Sequence, residues 1–259
     1  MKVARFATEG EDPRYGIVDD EDLVVLRSDP IFAGFDTTGE RVPLAHARLL
    51  APVIPRSKVV CVGLNYAEHR ADMAGIDAPE NPIIFLKPNT AVVGPGDPIR
   101  IPPVEGRITH EAELVVVIGR IAKQVPAERW ADYVFGYTIG NDVSARDQMF
   151  VDGQWARAKG YDTFAPIGPW IETELDPAGL EIRSYVDGEP RRHGNTRDLI
   201  HGLPELIAYI TDVWTMLPGD IIMTGTPSGA GGFLAGQVVE IDIEGIGRLS
   251  NPATKRDAR

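Results

Sequence analysis

Short runs of valine, isoleucine and leucine, each closed by glycine, proline or a charged turn, recur along this chain and point to strands rather than long helices. "KVVCVGL", "PIIFLKP", "ELVVVIG", "VFGYTIGND", "GPWIET", "EIRSYVDGE", "DIIMTGT" and "VVEIDIEGIG" all read as strands. The Asp-Gly pair in "VDGE", Val186 to Glu189, predicts a type I′ hairpin turn. Helices are expected only at Tyr66 to Ala74, Ala127 to Tyr133 and Pro204 to Thr215. With 27 glycines and 21 prolines, functional groups belong on strand ends and loops. The expectation is an α+β fold, a β-rich mixed sheet closed into a roll or barrel. "KVARFAT", "RYGIVD" and "DLVVLR" predict a small antiparallel sheet at the N-terminus, followed by "PLAHARLLAPVIP" as a proline-ended linker. Residues 1–56 would then form a small β-rich domain plus linker, and residues 57–259 the main domain.

The formal charge of -12 excludes nucleic acid and anionic membrane as non-specific partners, because both require positive potential. The one basic cluster, "RRHGNTR" from Arg191 to Arg197, reads as a solvated hairpin edge. Cys61 is the single cysteine and lies inside an apolar run, so it reads as a buried structural thiol. No apolar run approaches the ~20 residues of a membrane span, and "MKVARFATEGEDPRYG" lacks the apolar segment of a signal peptide. A cytoplasmic location is expected.

"THEAELVVVIG" places Glu111 and Glu113 directly against an apolar run. Side chains two apart on a strand share a face, so the two carboxylates can converge. Burying them unpaired would be costly, which leaves protonation, basic partners or a hard cation. "YTIGNDVSARD" ends another apolar run on Asp142, and three acids at neighbouring strand ends would suit Mg²⁺ or Mn²⁺. Zinc is disfavoured for want of cysteine or clustered histidine ligands. Taken alone, the two glutamates also fit the solvent face of an edge strand. His69 and Asp72 in "NYAEHRADM" fall on one face of a short helix, as a general base and its orienting carboxylate would, or as an incidental surface pair. Lys159 in "RAKGYDTFAP" is either a snorkelling side chain or a positive charge for a substrate anion. In "TGTPSGAGG", Gly225 and Thr226 offer a backbone N–H and a hydroxyl to an anion, or simply make a turn.

In combination and in order, "GLNYAEHRADM", "FLKPNTAVVGPGDPI", "HEAELVVVIG", "GYTIGNDVSARD", "GQWARAKGYDTFAPIGPW" and "GDIIMTGTPSGAG" closely resemble the fumarylacetoacetate hydrolase superfamily, from about Ser57 to Asn251. The resemblance implies a catalytic domain on a mixed β-roll, homodimeric assembly, and Mg²⁺ or Mn²⁺ held by Glu111, Glu113 and Asp142. It places the catalytic His-Glu pair at His69 and Asp72, where aspartate is one methylene shorter than the usual glutamate. The family's lysine maps onto Lys159, its arginine onto Arg146, and its substrate-carboxylate threonine onto Thr226. Met149 stands where a glutamine is common, with Gln148 one place earlier and, on a strand, facing the other way. The first 50 residues resemble a variable N-terminal domain.

The implied substrate is a small 2-oxo acid or its enol, reacting through a metal-stabilised enolate. Three outcomes share that intermediate. They are decarboxylation, as of oxaloacetate; hydrolysis of an acylpyruvate; and isomerisation of a 2-hydroxyhepta-2,4-diene-1,7-dioate or 5-carboxymethyl-2-hydroxymuconate, as in aromatic catabolism. Decarboxylation and hydrolysis stand level ahead of isomerisation. A different class of reading is a metal-stabilised β domain that binds a carboxylate without turnover.

Overall fold

The computed structural model describes residues 1–67, 80–229 and 231–256. Its backbone is the expected β-rich, mixed architecture. A twelve-stranded sheet runs, edge to edge, through Thr37–Pro43, Asp22–Leu26, Arg14–Asp19, Lys2–Ala7, Ala165–Glu172, Val134–Asn141, Ala112–Ile118, Ile221–Met223, Val59–Gly63 and Ile83–Lys87, with Arg48–Leu50 and Val92–Val93 pairing off this path. Most neighbours are antiparallel, but Ile221–Met223 runs parallel to Val59–Gly63. A second sheet orders Glu189–Asn195, Glu181–Val186, Val238–Ile243, Gly247–Lys255 and Ile99–Ile101.

The continuous apolar run after Glu113 has a direct cause. Ala112–Ile118 lies in the middle of the large sheet and is buried throughout. Leu114, Val116 and Ile118 face a core shared with Ile182, Ile241 and Ile243 of the second sheet. Val115 and Val117 face the opposite way, packing with Val59, Cys61, Ile221 and Met223. A strand covered on both faces has no reason to alternate. Cys61 is buried there, and burial pushes its thiol up, with Asp142 adding to the effect.

The helix Leu203–Val213 closes the core with Leu203, Leu206, Ile207 and Ile210, an i, i+3, i+4, i+7 stripe. At the predicted hairpin turn, Asp187 and Gly188 both adopt positive φ (51° and 79°), as a type I′ turn requires. The expected helical stretch Ala127–Tyr133 is present, as a 3-10 helix. Three expectations are corrected. "PLAHARLLAPVIP" is no bare linker, because Arg48–Leu50 pairs with Lys2–Ala7. The segment after Asp142 leaves the strand state and forms a helix, Arg146–Asp152, stopped by Gly153 in the left-handed conformation. The third concerns Arg192 and is described with the site. The N-terminal strands also continue the large sheet, since Lys2 and Val3 pair with Glu172 and Ile171. Of the expected Tyr66 to Ala74 helix, most lies outside the described residues, as do His69 and Asp72.

Candidate metal centre

Glu111, Glu113 and Asp142 converge because their strands are partners. Ala112 pairs with Asn141 in antiparallel register, so the start of one strand lies beside the end of the other. The Asp142 N–H donates to the Glu111 carbonyl (2.9 Å), and Asn141 Oδ1 accepts from the Glu111 N–H (3.0 Å). All three acids are buried, with one oxygen of each lying within 4.8 Å of the others.

Cations surround two of the three. Lys159 Nζ donates to Glu111 Oε2 (2.7 Å) and Asp142 Oδ2 (2.5 Å). Lys87 Nζ pairs with Asp142 and also donates to the Val143 carbonyl (3.1 Å). Arg146 Nη1 stands 3.5 Å from Glu111 Oε1. Burial works against charge on Lys159, but Asp142 and Glu111 outweigh it and hold its ammonium above the ordinary lysine range. Glu113 is different. Its Oε2 accepts the Gly225 N–H (2.7 Å), and among the described residues no cation pairs with it. Burial, then the neighbouring Asp142 and Glu111 charges, push its carboxyl well above the usual range. An all-oxygen donor set with one uncompensated buried acid fits a hard dication, which would cancel the charge that burial penalises.

Glu111 and Glu113 open onto a narrow cleft, with about 10 Å³ accessible to water, lined also by Val62, Gly63, Leu64, Arg146, Met149, Trp155, Lys159 and Thr226. Gly63 is required there, because a Cβ would lie 2.5 Å from the Trp155 ring. Gly225 adopts a φ of +100°, and a Cβ on it would meet Asn65 Cβ at 2.8 Å. A larger groove of about 550 Å³, lined by Lys2, Glu181, Arg183, Asp242 and Arg248 among others, contains none of these acids.

The structure thus brings together Glu111, Glu113, Asp142, Arg146, Lys159, Gly225 and Thr226. Gln148 is not part of the lining. Its Oε1 accepts from the Tyr161 hydroxyl (3.0 Å), while Met149 faces the cleft, one helical step around. Two cations escaped the sequence reading. Lys87 ends the edge strand Ile83–Lys87, whose other residues are only part-buried or exposed, and its place after the apolar run was its only signal. Arg192, expected on a solvated edge, is buried and donates to Thr226 Oγ1 (2.8 Å). Its pairing opposite buried Ser184 in the hairpin carries it inward, whereas Arg191 and His193 remain exposed.

Comparison with known proteins shows the family and its fold. Residues 58–254 match the family described as Fumarylacetoacetate (FAA) hydrolase C-terminal, and residues 1–52 match one described as Rv2993c-like, N-terminal. The structure superimposes on 5-carboxymethyl-2-hydroxymuconate delta-isomerase from Mycobacterium smegmatis with a TM-score of 0.91 and 46% identity, covering 99% of this chain and 100% of the other. Maleylpyruvate hydrolase from Sphingobium sp. SYK-6, solved with manganese (II) ion and pyruvate, gives 0.81 and 32% over 99% and 100%. Oxaloacetate tautomerase fahd2, mitochondrial, from Xenopus laevis is 39% identical over 85% of this chain and 72% of its own. With its carboxylate triad at the mouth of paired central strands, the chain belongs to the fumarylacetoacetate hydrolase family.

Proposed function

We propose that this protein is a divalent-metal-dependent enzyme acting on a 2-oxo acid or its enol, and that it moves a proton at C3 through the enolate. The observation that carries this reading is the buried all-oxygen group of Glu111, Glu113 and Asp142, in which, among the described residues, Lys87, Lys159 and Arg146 pair with Asp142 and Glu111 and none with Glu113. A dication held by Glu111, Glu113 and Asp142 would supply Lewis acidity toward the adjoining oxygens of a 2-oxo acid. Enolate formation adds one negative charge at the 2-oxygen, beside the dication and the Lys159 ammonium, so the occupied site would complement the enolate better than the starting acid.

The chain's own groups divide the remaining work. Lys159 and Arg146 line the cleft and place fixed positive charge beside it. Val62, Leu64, Met149 and Trp155 restrict water around it. Met149 offers no hydrogen-bond donor for a distal substrate carbonyl, which weakens C–C hydrolysis relative to proton transfer. The 46%-identical isomerase and the 39%-identical tautomerase carry names consistent with proton movement. Hydrolysis is the second reading, favoured by the 32%-identical maleylpyruvate hydrolase. Decarboxylation of oxaloacetate uses the same enolate.

The test is a panel of oxaloacetate, 2-hydroxyhepta-2,4-diene-1,7-dioate, acetylpyruvate and fumarylpyruvate followed in the ultraviolet with Mn²⁺ and with EDTA. Metal-dependent loss of enol or diene absorbance, without CO₂ or a cleaved acid, is expected. Comparable release of CO₂ or pyruvate would move the reading to a lyase or hydrolase. Failure to convert any of the four would end it.

A further inference from the structure

Arg192 lies in the outer strand of the hairpin, opposite Ser184, and is buried. Its Nη1 donates to Thr226 Oγ1 (2.8 Å) and to the Pro227 carbonyl, and its Nη2 to the His110 carbonyl (3.1 Å). The His110 ring in turn bonds Ser184 Oγ (2.9 Å). The hairpin therefore grips both segments that build the site. His110 immediately precedes Glu111, and Thr226 follows Gly225, whose N–H holds Glu113. Gly194 permits this approach, because a Cβ there would lie 2.4 Å from Pro227 Cγ.

A guanidinium has donors only, so Thr226 Oγ1 must accept from it. The hydroxyl proton then needs another direction. Among the described residues it has no acceptor, and Thr226 lines the cleft beside Glu111 and Glu113. We infer that Arg192 is a positioning residue that turns the Thr226 hydroxyl proton into the cleft, making Thr226 a donor to the carboxylate of a bound 2-oxo acid. The inference rests on the proposed 2-oxo acid reading. An alternative hydroxyl rotamer, free to accept rather than donate, is removed by the arginine, so the donor is set before substrate arrives.

The experiment is calorimetric titration of Mn²⁺, then of pyruvate into the Mn²⁺-loaded protein, for wild type, R192M, R192K, T226V, R192M/T226V and G194A. Mn²⁺ affinity should stay within about three-fold throughout, since none of these side chains touches the acids. Pyruvate should bind about ten-fold or more weakly in T226V and R192M, the scale of one hydrogen bond to a charged group. The double variant should be no weaker than the worse single, because both remove one donor. R192K, which still donates, should recover part of the loss. G194A, with the guanidinium intact but Pro227 displaced, should also weaken pyruvate. Wild-type pyruvate affinity in R192M, multiplicative losses in the double, or Mn²⁺ affinity falling in step would overturn the inference. If R192M does not fold, wild-type affinity in G194A overturns it. A wild type that takes Mn²⁺ but not pyruvate would remove the underlying reading, an outcome distinct from R192M matching a pyruvate-binding wild type.

Discussion

Replacing Glu113 by glutamine separates the cost of the buried acid from its use. The amide keeps the side-chain shape and an oxygen to accept the Gly225 N–H, now at 2.7 Å. It removes one negative charge from beside Asp142 and Glu111. Because the fold holds the Glu113 carboxyl above its ordinary pKa, the metal-free native state binds that proton more tightly than the unfolded chain. Such a group costs stability once pH exceeds the unfolded value of about 4.3, and the cost grows as pH rises toward the folded value. Metal-free E113Q should therefore be at least as stable as wild type at pH 7. Metal reverses the order. At Mn²⁺ a hundred-fold above its dissociation constant, wild type gains about 2.7 kcal/mol. At about 2–4 °C per kcal/mol for a chain near this size, that is roughly 5–10 °C of melting temperature. E113Q, short of one ligand, should gain less than about 1 kcal/mol at the same concentration. Scanning calorimetry at pH 7 with EDTA and with Mn²⁺ reads all four states. A metal-free E113Q melting several degrees below wild type, or gaining as much from Mn²⁺, would refute the reasoning.

Lys159→Met should lower turnover by about a hundred-fold or more, the scale of losing a preorganised charge, while Mn²⁺ still binds; kcat within three-fold of wild type would remove Lys159 from the chemistry. Asp220 accepts from Ser57 N (2.8 Å), Ser57 Oγ (2.6 Å), Lys58 N (3.1 Å) and Leu217 N (2.9 Å). Burial opposes its charge, but these donors prevail and hold its carboxyl below the usual range. Its contribution is present above pH ~4 and is lost as pH falls through the depressed native value. Asp220→Asn should cost about 2–4 kcal/mol in urea unfolding at pH 7, with a smaller gap from wild type in acid; a pH-independent gap would contradict this. Leu206→Ala, in the core stripe of Leu203–Val213, should cost about 2–5 kcal/mol without altering Mn²⁺ affinity.

The elements that could be read locally are those whose environment is uniform. Ala112–Ile118 is buried on both faces, and a run of β-branched residues announces that without knowledge of its neighbours. The Asp187-Gly188 turn is legible because few residues accept positive φ there. Arg146–Asp152 was missed because Phe150 and Val151 point into solvent and leave no apolar stripe to see. Recognition of the six motifs supplied the three acids, whose spacing alone also fitted an exposed edge. Their burial removes that alternative.

Sequence by itself determined the apolar central strands and that acids stand where Ala112–Ile118 begins and Val134–Asn141 ends, since both follow from neighbours a few positions away. Only the tertiary structure decided how those charges are compensated. Lys87 meets Asp142 across 55 positions, Arg192 meets Thr226 across 34, and Lys159 reaches Glu111 across 48. Each pairing depends on strand register and on two sheets meeting, and no local pattern encodes either. Glu113 is left without a cationic partner among the described residues for the same reason, and with Glu111 and Asp142 it forms a buried group that could hold a metal ion.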